Sequence, residues 1–273
     1  MKNFLTICNA TELWQRELSL PSIPTFSQNL DHCLGNEVEG LQLGSVTEVL
    51  GLPGTGKTQL CLQLCASIQI PKVLGGLNAE ALYVDTNTNF TITRFKEILF
   101  ASLLKCQQLL EMPMQINEEE VLKKLHYVKA IGLEKFCAFM HTMQKFIMEH
   151  PNVKLIVIDS IVFPFKEGID MRKRTGILFK QMADLQRLSM EHQIAVVLTN
   201  EMSTRVGLSS GSVVGALGDA WSHRCNKRLL LSTPQQFDSR TAQDRYAVLL
   251  KSNDSPNGVA KFRVTPEGIR DVE

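Results

Sequence analysis

The sequence lacks the features that announce several common protein classes. It has no Cys-x-x-Cys pair. Its seven cysteines, an odd number, are scattered from Cys8 to Cys225, which argues against a disulfide framework. Cys61 and Cys65 stand one helical turn apart, but in a leucine-rich stretch without a nearby histidine they read as small core residues. The six histidines are separated and form no His-Glu-x-x-His pattern. Net charge is nearly absent (+1), so any nucleic-acid contact has to come from a local patch rather than a global field. No run of about 18 apolar residues exists and the N-terminus has no signal-peptide core, so nothing reads as a membrane span. No basic cluster reads as a nuclear import signal. Free thiols fit a reducing compartment, cytosol or nucleus.

What remains is ordinary globular composition: 273 residues, 44% apolar and 21% charged, enough chain to bury a core without disulfides or metals. Residues 1–44 read as a leader, with a short helix at Ala10–Leu18 broken by Pro21 and Pro24. From Ser45 onward, strand-like runs alternate with helix-length segments, the pattern of βαβ units. The fold expected for residues 45–273 is therefore α/β, a mostly parallel twisted sheet flanked by helices. Strands are predicted at Val46–Leu50, Ala81–Asp85, Leu125–Val128, Lys154–Asp159, Ala195–Asn200 and Arg228–Ser232. Tyr246–Lys251 and Lys261–Val264 should close the sheet as an antiparallel pair. Helices are predicted at Thr58–Ile70, Arg94–Leu110, Leu133–Glu149 and Arg174–Glu191, with Glu111–Glu120 a polar connector.

Gly51-Leu52-Pro53-Gly54-Thr55-Gly56-Lys57-Thr58 matches the phosphate-loop pattern G-x-x-x-x-G-K-[ST] in full. The flanking strand and the helix beginning at Gln59 give the string its meaning: glycines let consecutive N–H groups face inward, and the helix N-terminus adds positive potential. ATP and Mg²⁺ are the ligands this implies, with Lys57 on the β and γ phosphates and the Thr58 hydroxyl on the metal. About 100 residues on, Leu155-Ile156-Val157-Ile158-Asp159 would bring a carboxylate to the Mg²⁺ shell.

The chain resembles the RecA-type recombinases, in particular their eukaryotic branch. The resemblance is carried by Leu43-Gly44-Ser45-Val46-Thr47-Glu48, Gly56-Lys57-Thr58-Gln59-Leu60-Cys61, Ala81-Leu82-Tyr83-Val84-Asp85-Thr86, Leu198-Thr199-Asn200-Glu201-Met202, Trp221-Ser222-His223 and Gly268-Ile269-Arg270-Asp271. Among the recombinase paralogues, Gln69-Ile70-Pro71, Val162-Phe163-Pro164-Phe165 and Ala216-Leu217-Gly218 are most similar to the branch designated C. The resemblance implies a RecA-type ATP-binding core that assembles with other recombinase paralogues and engages single-stranded or branched DNA. It implies work in double-strand break repair or meiotic recombination in the nucleus, with the cytoplasm as the alternative. Carried over by position, Arg94 lies against the adenine, His223 couples the DNA-facing loop to the nucleotide, and Lys251–Gly258 caps a neighbour's ATP.

Three departures from the family stand out. The family's Asp-Thr-Glu-Gly is Asp85-Thr86-Asn87-Thr88 here, and Asn87 cannot take the proton of the attacking water, a function worth about 10²–10⁴-fold in rate. An acid elsewhere, such as Glu80, would have to substitute. Glu201 stands at the position of a γ-phosphate-sensing glutamine, where a carboxylate repels phosphate unless bridged. The family's helical N-terminal domain is not matched. These departures favour an accessory paralogue that binds ATP and hydrolyses it slowly or not at all. A single-stranded-DNA-dependent ATPase and a nucleotide-independent scaffold are the rival readings.

For DNA, the segment Phe163–Arg174 offers Lys166, Arg172, Lys173 and Arg174 against Glu167 and Asp170, a surplus of +2, with Phe163 and Phe165 as stacking candidates. The bland reading is a solvated helix start with core phenylalanines. A second loop, Glu201–Leu217, is Gly/Ser-rich with Arg205 its single cation. Arg224, Lys227 and Arg228 follow it, for DNA, a neighbour's ATP or the plain surface.

Overall fold

The computed structural model describes residues 8–35, 39–166, 169–204, 213–234 and 243–272. Twelve strands are found among them: β1 (Ser22–Ile23), β2 (Leu41–Gln42), β3 (Val46–Gly51), β4 (Glu80–Asp85), β5 (Leu125–Lys129), β6 (Val153–Asp159), β7 (Ala195–Thr204), β8 (Val213–Gly215), β9 (Lys227–Ser232), β10 (Asp244–Lys251), β11 (Val259–Thr265) and β12 (Gly268–Asp271). The helices are α1 (Ala10–Leu18), α2 (Gln28–Leu34), α3 (Lys57–Ser67), α4 (Ile92–Leu109), α5 (Glu118–Leu122), α6 (Leu133–Glu149), α7 (Met171–His192) and α8 (Asp219–Ser222). The large sheet runs β12-β11-β10-β9-β3-β7-β6-β4-β5, with β8 paired to β7 and β1 to β2 in a separate ribbon. Contacts from β9 through β3, β7, β6 and β4 to β5 are parallel, and those among β9, β10, β11 and β12 antiparallel. This is the α/β architecture read from the sequence.

The central strands are apolar on both faces because both are covered. In β6, Leu155 and Val157 join the core beneath α3 and α4, whereas Ile156 and Ile158 join the one beneath α6 and α7. That alternation is the period-2 geometry of a strand acting on an unbroken hydrophobic run. Helix α3 is enclosed from Leu60 to Ser67. Cys61 and Cys65 are fully buried there, and burial raises both thiols well above their ordinary range, as core residues require.

Part of the segment read as a leader belongs to this packing. Ile23, Leu30, Leu34, Leu41 and Leu43 are buried in the α3–α4 core. Ser27 caps α2 by accepting from the Leu30 N–H, and its own hydroxyl donates to Asp271 at 2.6 Å. Asp271 also accepts from the N–H groups of Gln28 and Asn29, placing a carboxylate at the helix N-terminus. Helix α1, closed by a capping box between Asn9 and Glu12, buries none of its residues. The connector Glu111–Glu120 needs a correction at its end. Asn117 accepts from the N–H groups of Glu119 and Glu120 and opens the short α5, with three glutamates in its first turn. Among the described residues, no helix is long and apolar enough to cross a membrane.

Candidate functional site

The carboxyl ends of β3, β4, β6 and β7 lie together at one rim of the sheet, and the candidate site is built there. Strand β3 ends at Gly51, whose position is forced by crowding: a Cβ would sit 2.8 Å from the Leu231 carbonyl oxygen and 2.5 Å from the Thr55 hydroxyl. Gly56, at φ 99°, is the N-cap of α3 and provides no side-chain acceptor. The first-turn N–H groups of α3 thus have no side chain capping them and face the loop. The Lys57 ammonium folds back to donate to the carbonyls of Gly51 (2.7 Å) and Leu52 (3.0 Å). Burial pulls it below the usual lysine range, opposed by the carboxylates of Asp159 and Glu201. A partly desolvated cation held only by carbonyls is a group prepared for a stronger anion.

Thr58 and Asp159 meet as the sequence suggests, the hydroxyl donating to the carboxylate at 2.7 Å. Two partners were not foreseen. Tyr83 on β4 donates to the same carboxylate oxygen at 2.8 Å, and Thr199 on β7 donates to the other at 2.5 Å. Asp159 is 3% exposed, so these hydroxyls fix its orientation. Adjacent oxygens from a hydroxyl and a carboxylate are hard donors of the kind Mg²⁺ takes. The glycine-lined loop, the lysine and this oxygen pair together fit a magnesium–nucleoside triphosphate.

Asn87 follows β4 in a turn organised by Asp85. The Asp85 carboxylate accepts from the N–H groups of Asn87 (3.0 Å), Asn89 (3.4 Å) and Phe90 (3.3 Å) and from the Tyr127 hydroxyl (3.0 Å). Thr88 adopts φ 56° in this turn, at the position where the resemblance has glycine. Glu80 opens β4 at the opposite rim, five residue steps or about 17 Å from Asp85, too far to act at the Asn87 turn. Glu201 stands directly beside Gly51 in the β3–β7 register. It is not bare: Lys166 pairs with it at 2.7 Å while lying 4.7 Å from the centre of the Phe163 ring.

The remaining residues divide. Arg94 reaches Gln59 (2.8 Å), Glu97 (3.0 Å) and the carbonyls of Thr265 (2.6 Å) and Pro266, joining α4 to α3 and to the β11–β12 turn. His223 ends α8, its carbonyl accepting from Lys251 at 3.0 Å. Arg172 and Lys173 are exposed at the start of α7, where Asp170 caps their N–H groups. Arg174 reaches back to the Ala216 carbonyl at 3.4 Å, and Arg205 lies outside the described residues. Three expectations are corrected. Phe165 is 2% exposed and packs edge-on against Phe136, so it cannot stack on a base. Lys227 is buried on the Leu34 carbonyl (2.5 Å) and Asp254 (3.0 Å). Arg228 is spent on Glu48 at 2.6 Å.

Glu48 is the group that sequence reading missed. It is wholly buried within β3 and accepts from Asn200 (2.7 Å), Trp221 (2.8 Å) and Arg228 (2.6 Å). A carboxylate inside an otherwise buried strand was the available signal, since such a charge persists only when paired. It ties the strand feeding the loop to the residue before Glu201 and to the helix carrying His223.

With this geometry in view, relatives are informative. The Rad51 family model matches residues 16–272. This chain belongs to the Rad51 family. It is 32% identical over 273 aligned residues to the DNA repair protein RAD51 homolog 3 of Cricetulus griseus, covering 96% of the chain and 72% of that protein. The protein of the same name from Dictyostelium discoideum is 31% identical over 261 residues, covering 92% and 66%. The chain thus spans about two thirds to three quarters of the length of these Rad51-family relatives. Homolog 3 is the branch designated C, so the resemblance holds at that level too.

Proposed function

We propose that this Rad51-family chain is an accessory recombinase paralogue in DNA repair and homologous recombination, meiosis included. In this reading it binds Mg-ATP within a nuclear complex of paralogues and turns it over slowly or not at all. The observation that carries the reading is the contrast at one rim of the sheet. The groups that hold a triphosphate are complete, whereas the two that would act on its γ end are Asn87 and Glu201. ATP supplies a polyanion around which loop and neighbouring subunit can order. Lys57 exchanges two carbonyls for phosphate oxygens, and the main-chain N–H groups from Gly51 to Gln59, with Pro53 contributing none, surround them. Thr58 and Asp159 hold the metal, with Tyr83 and Thr199 fixing the carboxylate. Arg94 lies against the adenine, and His223 couples the DNA-facing loop to the nucleotide. Asn87 can hold a water but has no basic site to receive its proton. DNA contact, weak in the isolated chain, falls to Lys166, Arg172, Lys173, Arg174 and Arg205, with Lys166 shared with Glu201.

Nucleotide titration and turnover measurements test this. Lys57→Ala removes charge-assisted bonds worth roughly 1.5–3 kcal/mol each and should weaken ATP binding by at least about 10-fold without unfolding the chain. The native chain should show little turnover with or without single-stranded DNA, and Asn87→Glu should raise it by about 10²-fold. Equal ATP binding by Lys57→Ala, or brisk DNA-stimulated turnover by the native chain, would overturn the reading.

A further inference from the structure

At the rim opposite the nucleotide site, Glu80, His126 and His150 converge. Each presents one ligand atom, and these atoms all lie within 4.8 Å of one another, the single such trio of His, Cys, Asp or Glu among the described residues. They come from three elements: the first residue of β4, the edge strand β5, and the C-cap of α6. The imidazoles are pre-positioned by one phenylalanine. His150 stacks on Phe146 with centroids 4.4 Å apart, His126 meets the same ring edge-on at 5.3 Å, and the two imidazoles are 4.6 Å apart. His126 Nε2 lies 2.6 Å from Glu80 Oε2. Lys124, which feels the Glu80 charge, donates its hydrogen bond to Asn78 at 2.6 Å.

We infer that this cluster is a binding site for a divalent transition metal, zinc fitting best. Two borderline imidazole nitrogens and one carboxylate oxygen make a donor set that zinc takes, with water completing a tetrahedron. Zn–N and Zn–O bonds of about 2.0–2.1 Å set ligand atoms roughly 3.3 Å apart, so atoms up to 4.8 Å apart need to close by up to about 1.5 Å and the 2.6 Å His126–Glu80 pair needs to open slightly. Coordination through Nε2 moves the His126 proton to Nδ1 and replaces the hydrogen bond to Glu80. Bound metal pins edge strand β5 and the end of α6 to β4. It is remote from the phosphate loop and independent of the proposed function.

The test uses the purified full chain stripped with chelator. Zn²⁺ titration should show one equivalent, and Co²⁺ should give tetrahedral d–d bands without thiolate charge transfer, with Cys8→Ser as the background because Cys8 is an exposed thiol. The pair His126→Gln/His150→Gln should weaken binding by more than about 100-fold, since even outer-shell changes cost ~10–100-fold. Zinc at a hundredfold excess over Kd should raise the melting temperature by about 5–10 °C. Lys57→Ala should bind zinc as the native chain does. Should the double variant fail to fold, Glu80→Gln, which preserves a hydrogen bond to His126, must still bind zinc more weakly. No stoichiometric uptake, uptake unchanged in these variants, or a thiolate spectrum would overturn the proposal.

Discussion

Replacing Glu201 with glutamine should make the site discriminate better in favour of ATP over ADP. Glu201 is the cross-strand neighbour of Gly51, whose carbonyl holds Lys57. Strands lie about 4.8 Å apart, so a γ-phosphate engaged by Lys57 would come within roughly 7 Å of the carboxylate. At that separation and an effective dielectric of about 20–40, one added negative charge costs about 1–2 kcal/mol. Lys166, paired at 2.7 Å but 44% exposed, offsets about half of this, leaving about 1 kcal/mol. Glu201→Gln should therefore tighten ATP by about 5-fold while changing ADP, which lacks the γ-phosphate, by less than about 2-fold. Lys166→Ala should move the ratio the other way, and in the double variant the lysine should no longer matter. Competition titrations with a fluorescent nucleotide in Mg²⁺ read both affinities. An ATP-to-ADP ratio unchanged in both single variants would refute the electrostatic reasoning.

Glu48→Ala leaves Arg228, Asn200 and Trp221 without their shared buried acceptor and should destabilise the chain by about 3–5 kcal/mol, read by urea denaturation; a loss below about 1 kcal/mol would show the hub to be dispensable. Asp31 gives a pH-dependent case. Burial raises its carboxyl to about 6 from 3.8, against the lowering effect of its Thr25 bonds. The folded chain then binds the proton more tightly than the unfolded chain, so this contribution is full below about pH 3.8 and is lost as pH rises through about 6. Asp31→Asn should consequently gain stability over the native chain by roughly 2–3 kcal/mol between pH 4 and pH 7, and a constant difference across that range would count against it.

The phosphate loop was legible because its meaning is local: a strand, eight residues and a helix suffice to place it. The central strands were legible for a similar reason, since a short apolar run covered on both faces has few alternatives. What escaped depended on partners far along the chain. Helix α2 is seven residues long and owes its N-terminal anion to Asp271, 244 positions from Ser27. Lys227 looks like any surface lysine until the Leu34 carbonyl and Asp254 are brought to it. Helix α5, by contrast, carried its own signal in Asn117 followed by three glutamates, but at five residues it is too short to show a helical period.

Asn87 and Glu201, the two residues proposed to face the γ-phosphate, stand in different surroundings. At Asn87 the frame is intact, because Asp85 holds the turn through backbone N–H groups that do not depend on the side chain at 87. Relative to the glutamate that the resemblance has at this position, the difference is an amide in place of a carboxylate. Thr88, a β-branched residue held at φ 56°, shows the same frame tolerating a side chain where backbone freedom would cost less. At Glu201 the exchange adds a charge, and a charge beside a phosphate site needs an answer. Lys166 provides one from the segment after β6, the region read as facing DNA. If the loop binds ATP as proposed, a ligand that drew Lys166 away would expose Glu201 to the phosphate, and occupancy of the two sites would be coupled through this pair with a negative sign. By linkage ATP would then weaken whatever engages Lys166, by the same factor.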